Sequence, residues 1–111
     1  MSWEVPECKI TVLKRTINQD LIDEYLEDAY RDVGPCDTFR DGQEFVIESE
    51  EALSAVPEGF CAWAWADIRQ DILAVATGAN MPGFRRRGTA VTGCSDWFRP
   101  VIFKVERMED D

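Results

Sequence analysis

Two stretches of this chain space their apolar residues for helices, and the hydrophobic runs around them are short and β-branched. After Asn18-Gln19-Asp20, a helix start with an acid in its first turn, come Leu21, Ile22, Tyr25, Leu26, Ala29 and Tyr30. That is the stripe of an amphipathic helix, with Asp23, Glu24, Glu27 and Asp28 outside it and Gly34-Pro35 as its stop. A second helix is predicted over Ala62 to Thr77. Trp65, Ile68, Ile72, Val75 and Ala76 share its buried face, and Gly78 suits the left-handed residue that ends helices.

Strands are predicted at Lys9–Lys14, Gln43–Glu48, Thr89–Thr92 and Pro100–Val105. Loops carry the turn residues between them: Cys36 to Gly42, Val56-Pro57-Glu58-Gly59, and Asn80 to Gly88. The resulting order, β-α-β-α-β-β, implies an α+β fold with two helices packed on one four-stranded sheet. At 111 residues there is room for one small domain. Its ordered core is expected over about residues 8–107, ahead of a frayed acidic tail at Met108-Glu109-Asp110-Asp111.

Charge and composition narrow the function. Against 22 Asp and Glu stand 12 Lys and Arg, a formal net charge of −10, which opposes binding to nucleic acid or to an anionic membrane surface. No run approaches the roughly 20 apolar residues of a membrane helix. The first residues, Met1 to Glu7, lack the apolar core of a signal peptide, so the cytoplasm is the expected compartment. Thiols are expected to stay reduced there. There is no histidine. That removes the Ser-His-Asp triad, the Cys-His dyad, the HExxH zinc site and the two-Cys two-His finger.

Four cysteines remain as the groups whose placement asks for a functional account: Cys8, Cys36, Cys61 and Cys94. Cys36 follows the first helix, Cys61 opens the second, and Cys94 ends a strand. Their separations of 25 and 33 residues exclude a CxxC pair, so a shared site must be assembled by folding. Cys61 stands at a helix N-terminus, where unpaired N–H groups and the helix dipole favour a negative sulfur. Cys94 lies in Gly93-Cys94-Ser95-Asp96-Trp97-Phe98-Arg99. Gly93 there signals a bend or a close backbone approach, and Asp96 is a turn cap or an acidic neighbour of the thiol.

If Cys36, Cys61 and Cys94 converge, two chemistries are open. One is a thiophilic metal, zinc, copper or an iron–sulfur cluster, on three thiolates. The other is thiol catalysis by Cys61. Trp63, Trp65 and Trp97 would wall such a site, with Asp96 and Arg99 as its polar groups. Cysteines that merely pack, in an interaction or homo-oligomeric protein, are the third possibility. The basic run Arg85-Arg86-Arg87 is either an anion clamp or a set of solvated arginines facing an acidic surface.

The segments Val56-Pro57-Glu58-Gly59-Phe60-Cys61-Ala62-Trp63-Ala64-Trp65 and Cys94-Ser95-Asp96-Trp97-Phe98-Arg99-Pro100-Val101-Ile102-Phe103 resemble a family of short, uncharacterised microbial proteins. Its pattern is like P-x-G-F-C-x-W-A-W, with a Gly-x-Cys loop upstream and C-x-D-G-x-R-P-V-x-F near the end. Gly34-Pro35-Cys36 is similar to that loop, and the likeness spans roughly Lys9 to Arg107. It implies that Cys36, Cys61 and Cys94 are the family's cysteines and leaves Cys8 outside; it brings no activity with it. Trp97 departs from the pattern, standing where glycine is usual.

Overall fold

The computed structural model describes residues 7–48 and 54–108. The acidic run at 49–51, Trp3 and the tail beyond Met108 therefore lie outside the described residues. Alternation builds the sheet. In β1 (Cys8–Arg15), Cys8, Ile10 and Val12 point to one face and are buried, while Lys9 and Thr11 point to the other. β4 (Val101–Arg107) repeats the pattern with Val101, Phe103 and Val105. These two strands are the antiparallel centre of a four-stranded sheet, with β2 (Glu44–Ile47) beside β1 and β3 (Thr89–Gly93) beside β4.

The buried face is closed by α2 (Ala62–Ala76), whose Ala64, Trp65, Ile68, Ile72, Val75 and Ala76 are buried against it. The observed helix starts where the sequence predicts and ends one residue short of Thr77. Its end is a left-handed cap: Gly78 has φ +117°, its N–H donates to the Val75 carbonyl, and the Ala79 N–H donates to Ala74 O at 2.9 Å. Arg107, at the end of β4, shares the Val75 carbonyl, donating to Val75 O at 2.7 Å and also to Ala79 O at 3.2 Å.

The open face of the sheet carries the ion pairs of Lys9 with Glu44 and Glu106 and of Lys104 with Glu106, beside the exposed Val46 and Val91. Among the described residues, no helix is long and apolar enough to cross a membrane.

The first helix is shorter than its stripe predicts. α1 covers Gln19–Tyr25, Leu26 turns to extended backbone at ψ 158°, and a separate 3₁₀ turn follows at Asp28–Tyr30. Tyr25, Ala29 and Tyr30 are exposed, and Ile22 is the buried residue of α1. A longer helix would align Asp23 with Glu27 and Glu24 with Asp28, like charges four apart, at the end where the helix dipole repels anions. With Ile22 the one fully buried residue of the stripe, that repulsion decides. α1 instead docks on the chain before β4, where Asn18 donates its N–H to Phe98 O at 2.8 Å and its amide to Trp97 O at 2.6 Å.

Two core residues, Phe39 and Phe60, come from loops. Phe39 lies between α1 and β2, is buried, and meets Phe60 edge-on at 5.0 Å and Phe103 at 5.2 Å. Phe60 also stacks on Phe103 at 5.5 Å and meets Trp65 at 5.7 Å. This aromatic cluster forms the end of the core nearest Cys61.

Candidate functional site

At that end of the core, three remote segments close around one cavity. The first is the loop carrying Cys36, Thr38 and Phe39. It is tied to the sheet by Arg15, which donates to the Cys36 carbonyl at 3.1 Å and pairs with Asp41 at 3.0 Å. The second is the start of α2. Cys61 is its N-cap: φ −71° and ψ 128° place it outside the helix, its carbonyl accepts the Trp65 N–H at 2.9 Å, and its sulfur makes no cap hydrogen bond.

The third segment is the turn from Cys94 to Val101. Gly93 lies so close to β4 that an added Cβ would stand 2.8 Å from the Val101 carbonyl oxygen. The close approach read from the sequence is therefore present. Cys94 follows with its N–H on Val101 O at 3.1 Å, and its sulfur accepts the Val101 N–H at 3.3 Å. Asp96 Oδ1 accepts the N–H groups of Phe98 and Arg99 at 3.1 and 3.2 Å, which folds the turn on itself.

The cavity enclosed by these segments has a volume of about 410 Å³, and Cys36, Cys61 and Cys94 all line it. With them are Trp63, Asp67, Ser95, Asp96 and Arg99, over an apolar floor of Phe39, Ala64 and Val101. All three thiols are free and partly exposed, whereas Cys8 is completely buried. Burial pushes the Cys8 thiol up to about 11, although the Arg107 guanidinium pulls the other way. The chain thus buries one sulfur in its core and leaves three at the edge of a cavity.

Two tryptophans expected in the wall are elsewhere. Trp65 is 5% exposed and belongs to the core beneath α2, since it follows Ala64 on the helix's sheet-facing side. Trp97 is 69% exposed and does not line the cavity. The Asp96 turn directs its carbonyl to Asn18 and leaves its indole outside. Trp63 does line the cavity, and at 84% exposure it is an uncovered aromatic face at the rim.

The metal expectation meets a geometric obstacle. Among the described residues, no group of three Cys, Asp or Glu side chains is placed to hold a metal ion. A shared ion at about 2.3 Å from each sulfur requires sulfurs within contact of one another.

Sequence reasoning missed Asp67. It sits on the polar side of α2, one turn beyond Trp63, and its Oδ2 accepts both the N–H and the hydroxyl of Ser95 at 2.7 and 2.9 Å. It thereby joins the helix to the Cys94 turn. Asp67 falls off the apolar stripe of the helix, and nothing local shows that another segment folds over it.

Arg99 is more weakly held. Its side chain is 28% exposed, with Nε 3.8 Å from Asp96 Oδ2 and Nη1 3.4 Å from the Gly34 carbonyl. Asp96 and Arg99 also border a second, smaller cavity of about 280 Å³ against Ile22, Leu26 and Phe98. The arginine run 85–87 is exposed and away from both cavities, and forms no ion pair among the described residues.

No protein-family model, curated protein or solved structure matches the chain.

Proposed function

We propose that the protein is a small-ligand-binding module whose site is the cavity between the Cys36 loop, the start of α2 and the Cys94 turn. The observation that carries this reading is the meeting of Cys36, Cys61 and Cys94 on one cavity of about 410 Å³, from positions 25 and 33 residues apart. That volume falls in the range of small-molecule sites, and the lining has their usual character, an apolar floor with a few polar groups. Trp63 supplies a flat contact at the mouth, while Asp67, Asp96 and Arg99 supply orientation. The net charge of −10 turns polyanions away, and free thiols suit a reducing compartment such as the cytoplasm. The absence of a metal-holding group among the described residues favours an organic ligand over an ion.

The test is protection of the thiols. Small acids, amines and thiols are screened by thermal shift, and each hit is tested for slowing the alkylation of Cys61 and Cys94 by iodoacetamide. A ligand that does both supports the module. Near-stoichiometric zinc, copper or iron in untagged protein purified without chelator would return the site to a metal. A defined oligomer with no protecting ligand would leave an assembly protein with structural cysteines.

A further inference from the structure

The cavity's chemistry narrows the ligand class. Thiol–disulfide exchange needs a thiolate and a reachable sulfur partner, and it needs no histidine. Of the three lining sulfurs, Cys94 Sγ already accepts the Val101 N–H at 3.3 Å. Cys61 stands at the N-cap of a fifteen-residue helix, and its sulfur is taken up by no cap hydrogen bond. Cys61 lines the cavity beside Trp63 and Ala64.

Arg99 lines the same cavity with donors to spare. Its two side-chain contacts, at 3.4 and 3.8 Å, leave most of its five N–H groups for a ligand. A planar guanidinium in that condition fits a carboxylate through two parallel hydrogen bonds.

We propose that the cavity takes a low-molecular-weight disulfide bearing a carboxylate, which Arg99 orients while Cys61 exchanges with it. This rests on the small-ligand reading above. Cys61 gives its proton to solvent, and its sulfur attacks one sulfur of R–S–S–R. The Cys61–S–S–R bond forms as the original S–S bond breaks. The departing R–S⁻ takes a proton from solvent and leaves as the thiol. One disulfide is consumed and one is made, so no further oxidant is required.

The experiment treats the reduced full chain with oxidised glutathione, which carries carboxylates, or with cystamine, which carries none. Adducts are located by peptide mass spectrometry. One glutathionyl group is expected on Cys61, and none there in Cys61→Ser. The rate should fall about tenfold in Arg99→Gln, the scale of one lost charge-assisted hydrogen bond, and recover in part in Arg99→Lys. The reaction with cystamine should not respond to Arg99. The Asp96 turn uses the Arg99 main-chain N–H, which Arg99→Gln keeps, and an unchanged unfolding midpoint verifies that the variant is folded.

Glutathione attached chiefly to Cys36 or Cys94, or an Arg99-independent rate on Cys61, would overturn the proposal. A ligand that protects Cys61 from alkylation while oxidised glutathione leaves no adduct would also overturn it, yet leave the binding module standing.

Discussion

Asp67 and Ser95, 28 residues apart, are joined by two hydrogen bonds to one carboxylate oxygen, at 2.7 Å from the Ser95 N–H and 2.9 Å from its hydroxyl. This contact fastens the turn carrying Cys94 to the helix that opens with Cys61. It fixes the spacing of two cavity walls without lying in the core. Asp67→Ala is expected to cost about 1 kcal/mol in urea unfolding, the modest scale of exposed hydrogen bonds. Alkylation of Cys94 should speed up in the same variant. An unaltered Cys94 rate would mean that the turn is held by β3 and β4 alone.

Native-state alkylation should divide the cysteines. Cys36, Cys61 and Cys94 are expected to react in the folded protein, and Cys8 only after unfolding, because its side chain has no solvent exposure. Early modification of Cys8 would contradict the packing between β1 and α2.

Cys8 also sets an alkaline limit on stability. Burial raises its folded pKa from 9.0 to about 11, so the unfolded chain gives up this proton first as pH rises. Its contribution is complete below about pH 9 and is lost as pH climbs through the folded value, a change on the order of 2 kcal/mol. Tyrosines and lysines titrate in the same range. The informative quantity is therefore the difference between wild type and Cys8→Ala in unfolding free energy from pH 8 upward. The alanine variant should start lower and decline less.

The two neighbouring tryptophans should behave oppositely. Trp65→Ala empties a core site beside Phe60 and is expected to cost about 3–5 kcal/mol. Trp63→Ala, at the exposed rim, should stay within about 0.5 kcal/mol of wild type, and its effect should fall on ligand affinity. Thermal unfolding separates the two directly.

Gly93→Ala would place a methyl group 2.8 Å from the Val101 carbonyl oxygen, a backbone atom that cannot rotate aside. A loss of about 1–3 kcal/mol is expected, together with displacement of Cys94, whose N–H and sulfur both bond to Val101. Altered alkylation kinetics of Cys94 would register the displacement, and unchanged stability would argue against so close an approach.

The strands and the second helix were legible in the sequence because their signals are local. Ile10 and Val12 alternate with Lys9 and Thr11, Trp65 to Ala76 keep helical spacing, and Gly78 supplies a left-handed end; the first strand also takes in Cys8, ahead of its predicted start at Lys9. Each pattern meets a sheet face or a helix underside that buries it. The stripe from Leu21 to Tyr30 has the same local quality, but Ile22 alone of it is fully buried. Like charges at Asp23, Glu24, Glu27 and Asp28 then end the helix early. The three cavity cysteines could be named from their places at element boundaries, but their meeting could not. It depends on Arg15 holding the Cys36 loop, on Gly93 pressing against Val101, and on Asp67 reaching Ser95. The division of Trp63 from Trp65 and the burial of Phe39 follow from the same cause. Sequence periodicity records which face of one element is apolar, whereas a cavity is made by contacts between elements, which exist only once the chain has closed on itself.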